Sequence, residues 1–207
     1  MKNVLIVEDQ RMMRESMENN IRQTEGYRLA GSIGGASLAE RFCASNEVDL
    51  VLMDVCTEND ESGFEATRAL KAQFPRVKVI IVTSMLDSSY LNRAREVGAD
   101  SLWFKDVSRE ELMAVVERTM RGESVYPDKV PKVMIGNASS YEFTEAEIKV
   151  LRLLVEGMTY KEMAKTLNLS VETVKSQVGS MLQKTGFTSK TKLAAMVMSK
   201  RMIVNGF

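Results

Sequence analysis

Two short stretches limit the fold more than any others: "VDLVLMD", residues 48–54, and "VKVIIVTS", residues 77–84. Both are apolar almost without interruption instead of alternating, so both faces of each strand must be covered, as in a parallel sheet packed between helices. Three further strand-like runs, "NVLIVED", "YRLAGSI" and "DSLWFK", share residues 3–121 with them. Between the runs, apolar residues recur at helical spacing near 11–24, 35–46, 64–73, 88–97 and 108–121. Strand and helix in alternation predict a doubly wound α/β domain with a five-stranded parallel sheet of the flavodoxin-like kind over residues 1–121.

The pattern then changes. Residues 122–142, "GESVYPDKVPKVMIGNASSYE", hold two of the three prolines, two glycines and a small polar cluster, which reads as a linker. Residues 143–207 show no strand signal, and amphipathic segments near 145–156, 160–167, 171–185 and 190–200 predict a small all-α domain. Two of these segments open with a capping box, Thr144 with Glu147 and Thr159 with Glu162, in which each side chain satisfies the other residue's backbone N–H.

Composition removes whole classes of chemistry. The chain has no histidine, which excludes histidine-based triads, HExxH zinc sites and histidine phosphocarriers. Its two cysteines, Cys43 and Cys56, lack metal-site spacing and are expected to stay as thiols in the cytoplasm. No run approaches the roughly 20 apolar residues of a membrane span, and the start reaches acid too soon for a secretion signal. The net charge of zero hides an asymmetry, because residues 143–207 carry ten Lys or Arg against five Glu. An acidic site in the first part and a polyanion partner for the second follow from that split.

In an open parallel sheet, ligands gather beyond the carboxyl ends of the strands at the point where strand order reverses. There the sequence offers Glu8 and Asp9 after the first run, Asp54 after the third, Thr83 and Ser84 after the fourth, and Lys105 after the fifth. If the first and third strands are neighbours, three carboxylates share one pocket. Their repulsion is relieved by a hard divalent ion with oxygen ligands, most simply Mg2+. Thr83 and Lys105 then offer a hydroxyl and an ammonium to one more anion, a set suited to phosphoryl transfer onto a carboxylate.

With that ordered set, residues 3–121 resemble the receiver domain of two-component response regulators. The resemblance implies that Asp54 is the phosphoacceptor, that Asp9, Asp54 and the backbone carbonyl of Cys56 ligate Mg2+, and that Glu8 acts through metal-bound water. Thr83 would hydrogen-bond the phosphoryl group and Lys105 would pair with it. The chain departs from the family in two places. "DVCTENDESG" lacks the usual Met-Pro turn and puts Gly63 nine positions after Asp54 instead of eight, in a loop where Glu58, Asp60 and Glu61 could attract the cation or repel the donor. Leu102 stands at the switch position, where an aromatic is frequent, and alternation points the adjacent Trp103 to the other face.

In "TYKEMAKTLNLSVETVKSQVGSMLQK" two helices flank the short turn "LNLS", with Ser170 placed to cap the second. Val171, Val174, Val178 and Met181 share one face of that helix, and Glu172, Lys175, Ser176, Gly179 and Gln183 the other. Residues 143–199 resemble the LuxR-type helix-turn-helix, and the two parts together resemble the NarL/FixJ family. That likeness implies base-facing Lys175, Ser176 and Gly179 beside Glu172, with Thr173 and Lys184 on phosphates. It further implies a cytoplasmic, DNA-binding transcription regulator, phosphorylated by a sensor histidine kinase and homodimeric when active. The segment "TKLAAMVMSK" is apolar along one stripe and is the candidate dimer contact. The likeness implies no enzyme, only a receiver that accepts a phosphoryl group and has scope to release it by autodephosphorylation. The alternative within the class is DNA binding independent of phosphorylation. A haloacid-dehalogenase-like phosphatase would need an acid where Cys56 stands, and a nucleotide-binding module would need a glycine-rich loop that "VEDQRM" lacks.

Overall fold

The computed structural model describes residues 1–84, 89–105, 109–128, 130–200 and 202; the side chains of Asp60, Arg109 and Glu110 lie outside that description. The chain divides into two compact units, the first running to residue 128 and the second from Val130 onward. The first unit contains the strands β1 (Lys2–Val7), β2 (Tyr27–Ile33), β3 (Leu50–Asp54), β4 (Cys56–Thr57), β5 (Glu61–Ser62), β6 (Lys78–Thr83) and β7 (Ser101–Phe104). Its helices are α1 (Arg11–Arg22), α2 (Ala39–Ser45), α3 (Gly63–Gln73), α4 (Ser89–Glu96) and α5 (Arg109–Met120). The starts expected at 88 and 108 for the last two helices lie outside the described residues.

Five strands form one sheet in the order β2-β1-β3-β6-β7, every pairing parallel. The chain leaves β1 for the β2 edge and later crosses to β3 on the other side, so strand order reverses between β1 and β3. That crevice is where a doubly wound sheet presents its ligand site. Val4, Ile6, Leu50, Leu52, Ile80, Val82 and Trp103 form one core with Met17 and Ile21 of α1 and Leu112 and Val116 of α5. The alternate residues Leu5, Val51, Met53, Ile81 and Leu102 are buried on the other face, where α3 packs through Phe64 and Leu70. Each such side chain contributes roughly 1.5–3 kcal/mol on burial. This double coverage is why the central runs are apolar throughout.

The expected linker is built into structure at both ends. Val125 donates its N–H to Ser101 Oγ (3.0 Å), its carbonyl accepts from Leu102 N (2.9 Å), and Tyr126 Oη donates to the Ala99 carbonyl (2.7 Å). Farther on, β8 (Met134–Ile135) and β9 (Ala138–Ser139) pair in a small hairpin whose Ile135 and Ala138 lie fully inside the second unit's core. Gly136 makes its turn with φ +61, and the Asn137 N–H reaches the Thr185 carbonyl at 3.0 Å. Prolines and glycines marked a break in helix but carried no information on these pairings.

The second unit continues with α6 (Glu145–Val155), α7 (Tyr160–Leu167), α8 (Val171–Thr185) and α9 (Lys190–Ser199). Both expected capping boxes are present, and Ser170 accepts from Thr173 N to start α8. Asn168 adopts φ 54 after α7 and lets the chain turn directly into α8. Val174, Val178 and Met181 enter the core, as do Leu193 and Val197 of α9. The apolar stripe of "TKLAAMVMSK" therefore serves its own core for the most part, while Met198 is 45% exposed.

Candidate functional site

The carboxyl ends of β1, β3, β6 and β7 bring the acidic set together. Parallel pairing of Val4–Val7 with Leu50–Met53 places Glu8 and Asp9, just past β1, beside Asp54 at the end of β3. One carboxylate oxygen from each of these three residues lies within 4.8 Å of the others. Glu8 and Asp54 are buried, and Lys105 Nζ stands 2.5 Å from Glu8 Oε2 and 2.7 Å from Asp54 Oδ2. Thr83 is fully buried at the end of β6, and its carbonyl accepts from Lys105 N at 2.8 Å, which holds the last two strand ends in register.

Among the described residues, one ammonium faces three carboxylates, and the protonation equilibria reflect the shortfall. Burial, followed by the negative charge of Asp54, pushes Glu8 up to about 7 despite the opposing effect of Lys105. Burial likewise raises Asp54, with Lys105 working against it. Among the described residues, Asp9 Oδ1 is buried without a hydrogen-bond partner. At the amino ends of the strands the balance is reversed. Asp100 accepts from Lys71 Nζ (2.9 Å), Lys78 Nζ (2.8 Å) and Val79 N (2.9 Å). Burial pushes its pKa up, but the hydrogen bonds from Lys78 and Lys71 outweigh that and hold it below the ordinary carboxylate value. That group is electrostatically complete. The pocket around Asp54 is not, and its crowded oxygen donors suit a hard divalent cation.

The longer loop after Asp54 folds as the short antiparallel pair β4–β5, with Asn59 in the left-handed region at φ 60. Half-buried Cys56 begins it. Thr57 Oγ1 accepts from Ala36 N (2.9 Å), and Glu61 accepts from Ser37 N (2.8 Å) and Ser37 Oγ (2.7 Å). Those bonds from Ser37 hold the Glu61 carboxyl below its usual pKa. Glu61 is thus committed to the β2–α2 connection. The side chain of Asp60 lies outside the described residues. The extra residue is absorbed within this hairpin, so Gly63 still approaches the acidic strand end. Its N–H reaches the Val55 carbonyl at 2.9 Å, and a Cβ there would overlap the Asp54 carbonyl oxygen. Leu102, 1% exposed, lies on the sheet face opposite Trp103.

In the second unit the exposed side of α8 presents Glu172, Lys175, Ser176 and Gly179, with Gln183 below them. Lys175 makes only a 3.4 Å surface contact with Glu172. A Cβ on Gly179 would meet nothing within 4 Å, so glycine leaves the helix surface low. Thr173 is engaged with Ser170 through both its N–H and its hydroxyl. Lys184 has partners within its own unit: its ammonium donates to both carboxylate oxygens of Glu147 (2.9 and 2.7 Å) and to the Glu142 carbonyl (2.9 Å). Ser180 Oγ and Thr144 N donate to the same carboxylate, each at 2.8 Å. Lys184 is a tie between α6 and α8. Glu147 was legible as a capping residue, but nothing in the sequence linked it to a lysine 37 positions away.

Comparison with known proteins matches residues 4–117 to the family described as response regulator receiver domain, and residues 142–197 to bacterial regulatory proteins of the luxR family. The response regulator protein VraR of Staphylococcus aureus is 33% identical over 196 residues, covering 91% of this chain and 92% of that protein. Among solved structures, RcsB from Salmonella enterica serovar Typhimurium, bound to promoter DNA in the presence of a phosphomimetic, aligns with a TM-score of 0.63 at 20% identity. The alignment covers 96% of this chain and 98% of that one. A LuxR-family two-component response regulator from Aurantimonas aligns over 59% of this chain and 87% of its own, with a TM-score of 0.57 and 25% identity.

Proposed function

The chain belongs to the response regulators that join a receiver domain to a LuxR-type DNA-binding domain, and we propose that Asp54 accepts a phosphoryl group from a partner histidine kinase to control how α8 engages DNA. We take residues 1–121 as the receiver, 143–207 as the DNA-binding domain, and the cytoplasm as the place of action. The observation that carries the reading is the meeting of Glu8, Asp9 and Asp54 around one buried lysine at the reversal point of the sheet.

In this reading Asp9, Asp54 and the Cys56 carbonyl hold Mg2+, with Glu8 acting through a metal-bound water. The unpartnered Asp9 oxygen and the excess of carboxylates over ammonium support that assignment. The ion, when bound, neutralises charge on the phosphoryl oxygens during transfer. Asp54 supplies the carboxylate oxygen that bonds to phosphorus, while the donor's P–N bond breaks and its imidazole leaves. Lys105, now on Asp54, would follow the new charge onto a phosphoryl oxygen, and the Thr83 hydroxyl would donate to another. The phosphoryl group stays on the protein until water removes it, so the chain is a substrate and a switch more than an enzyme.

Phosphorylation replaces the single charge of the Asp54 carboxylate with a phosphoryl group carrying about 1.5 to 2, a net gain of about 0.5 to 1 negative charge in a pocket already short of positive charge. Relief requires the surrounding loops to rearrange, and that rearrangement would favour a homodimer on double-stranded DNA. Two-fold pairing would set recognition helices about one DNA turn apart. On α8, Lys175, Ser176 and Gly179 would face base edges beside Glu172, with Thr173 near the backbone. The test is phosphate uptake from acetyl phosphate by the intact chain, read as a mass shift, together with gel shifts with and without the donor. Uptake that survives Asp54→Asn overturns the assignment. Unchanged gel shifts would leave a DNA-binding regulator that acts without phosphorylation, a reading favoured only by the burial of Leu102 where a mobile aromatic is frequent.

A further inference from the structure

The turn between β1 and α1 has to aim two carboxylates into one pocket, yet α1 begins without the usual local supports. Gln10 provides no side-chain cap, and no acid occupies the first helical turn. The turn is held by other bonds, one to β2 and one within the turn itself. Glu8 N donates to the Ile33 carbonyl at 2.9 Å, and Gln10 N donates to Glu8 Oε1 at 3.1 Å. The remaining support is Arg14, whose Nη1 donates to the Glu8 carbonyl at 2.6 Å and to the Asp9 carbonyl at 3.3 Å.

We propose that Arg14 is a positioning residue for the cation pocket, clamping the two backbone carbonyls behind Glu8 and Asp9 so that their carboxylates are presented to Mg2+. The inference rests on the Mg2+ reading above. Its independent ground is the state of Asp9: because Oδ1 is buried without a hydrogen-bond partner among the described residues, that oxygen's direction is set by the backbone that carries it. A backbone held by a charged donor moves less than one held by water, and partners outside the ligand shell commonly change metal affinity 10- to 100-fold. Clamping and simple electrostatics also predict opposite signs. A guanidinium near the pocket repels a divalent cation, so removing it as a mere charge would tighten binding. Removing it as a clamp must weaken binding.

The experiment is calorimetric titration of Mg2+ alone into the full chain at pH 8 and low salt, for the wild type, Arg14→Ala, Arg14→Met, Arg14→Lys and Asp9→Asn. Circular dichroism establishes that each variant is folded. The expected result is at least roughly tenfold weaker binding in Arg14→Ala and Arg14→Met, with part of the loss recovered in Arg14→Lys, whose ammonium donates but lacks the planar fork. Arg14→Met keeps the apolar stem and stands in for Arg14→Ala should the latter unfold. Wild-type uptake with unchanged or tighter binding in the folded neutral variants overturns the clamp while leaving the metal site intact. If the wild type itself takes up no Mg2+ while remaining folded, the metal reading and the clamp fall together.

Discussion

Replacing Lys184 by alanine separates two roles that the sequence could not. The Glu147 carboxylate, 4% exposed, receives Lys184 together with neutral donors from Ser180 and Thr144. Removing one partner from a buried ion pair costs about 3–5 kcal/mol. Water reaches the 29%-exposed lysine side chain and the neutral donors remain, so about 2–3 kcal/mol is the reasonable expectation at pH 7. The pair Arg11–Glu15, with side chains 83% and 54% accessible, lies in full solvent screening by contrast. For a small helical unit with a urea slope near 1 kcal/mol per molar, the midpoint should fall by about 2–3 M. Helical circular dichroism of the full chain follows this transition, and Trp103, the sole tryptophan, reports the first unit as an internal control. Burial works to raise Glu147, but Lys184 and the other donors outweigh it and leave its pKa lowered. Its contribution is therefore complete above the unfolded value near 4.5 and is lost as pH falls through the lower folded value. The difference between wild type and Lys184→Ala should shrink over the same window. An unshifted urea midpoint, accompanied by a DNA salt slope lower by about 0.9, would refute the ion-pair argument and return Lys184 to a phosphate.

Lys175→Ala should do the reverse, leaving stability within about 0.5 kcal/mol while weakening DNA binding and reducing its salt dependence in titrations at several ionic strengths. Gly63→Ala forces a methyl against the Asp54 carbonyl and should cost about 1–3 kcal/mol, with impaired phosphate uptake even where the protein remains folded, as read by urea melts and acetyl phosphate labelling. Because Glu8 is raised to about 7 in the metal-free pocket, calorimetry should show apparent Mg2+ affinity falling as pH drops from 8 to 6. Without metal, the folded state holds the Glu8 proton more tightly than the unfolded chain. This group's contribution therefore favours folding below about 7 and is lost as pH rises from 4.5 through 7, a trend that thermal melts with and without Mg2+ will register.

Much of this protein was written in short-range pattern. Runs such as Leu50–Asp54 and Lys78–Thr83 declare strands covered on both faces because no polar side chain interrupts them. Thr144 with Glu147 and Thr159 with Glu162 declare helix starts because capping needs only three residues of separation. The order of acids, hydroxyl and lysine at successive strand ends was legible too, since a parallel sheet puts all its carboxyl ends on one side. What the chain's order could not state were contacts made by long or neutral side chains across that architecture. Glu61 turned to Ser37 in the β2–α2 connection, Lys184 to Glu147 between helices, Val125 back onto β7, and Tyr126 onto the residues just before that strand. Arg14 could be seen as a helix residue, but its reach to the carbonyls of residues 8 and 9 exists only once the turn is folded. Periodicity and capping act through neighbours in sequence, whereas a charged group finds its partner by geometry, and geometry is settled when the sheet and helices have packed.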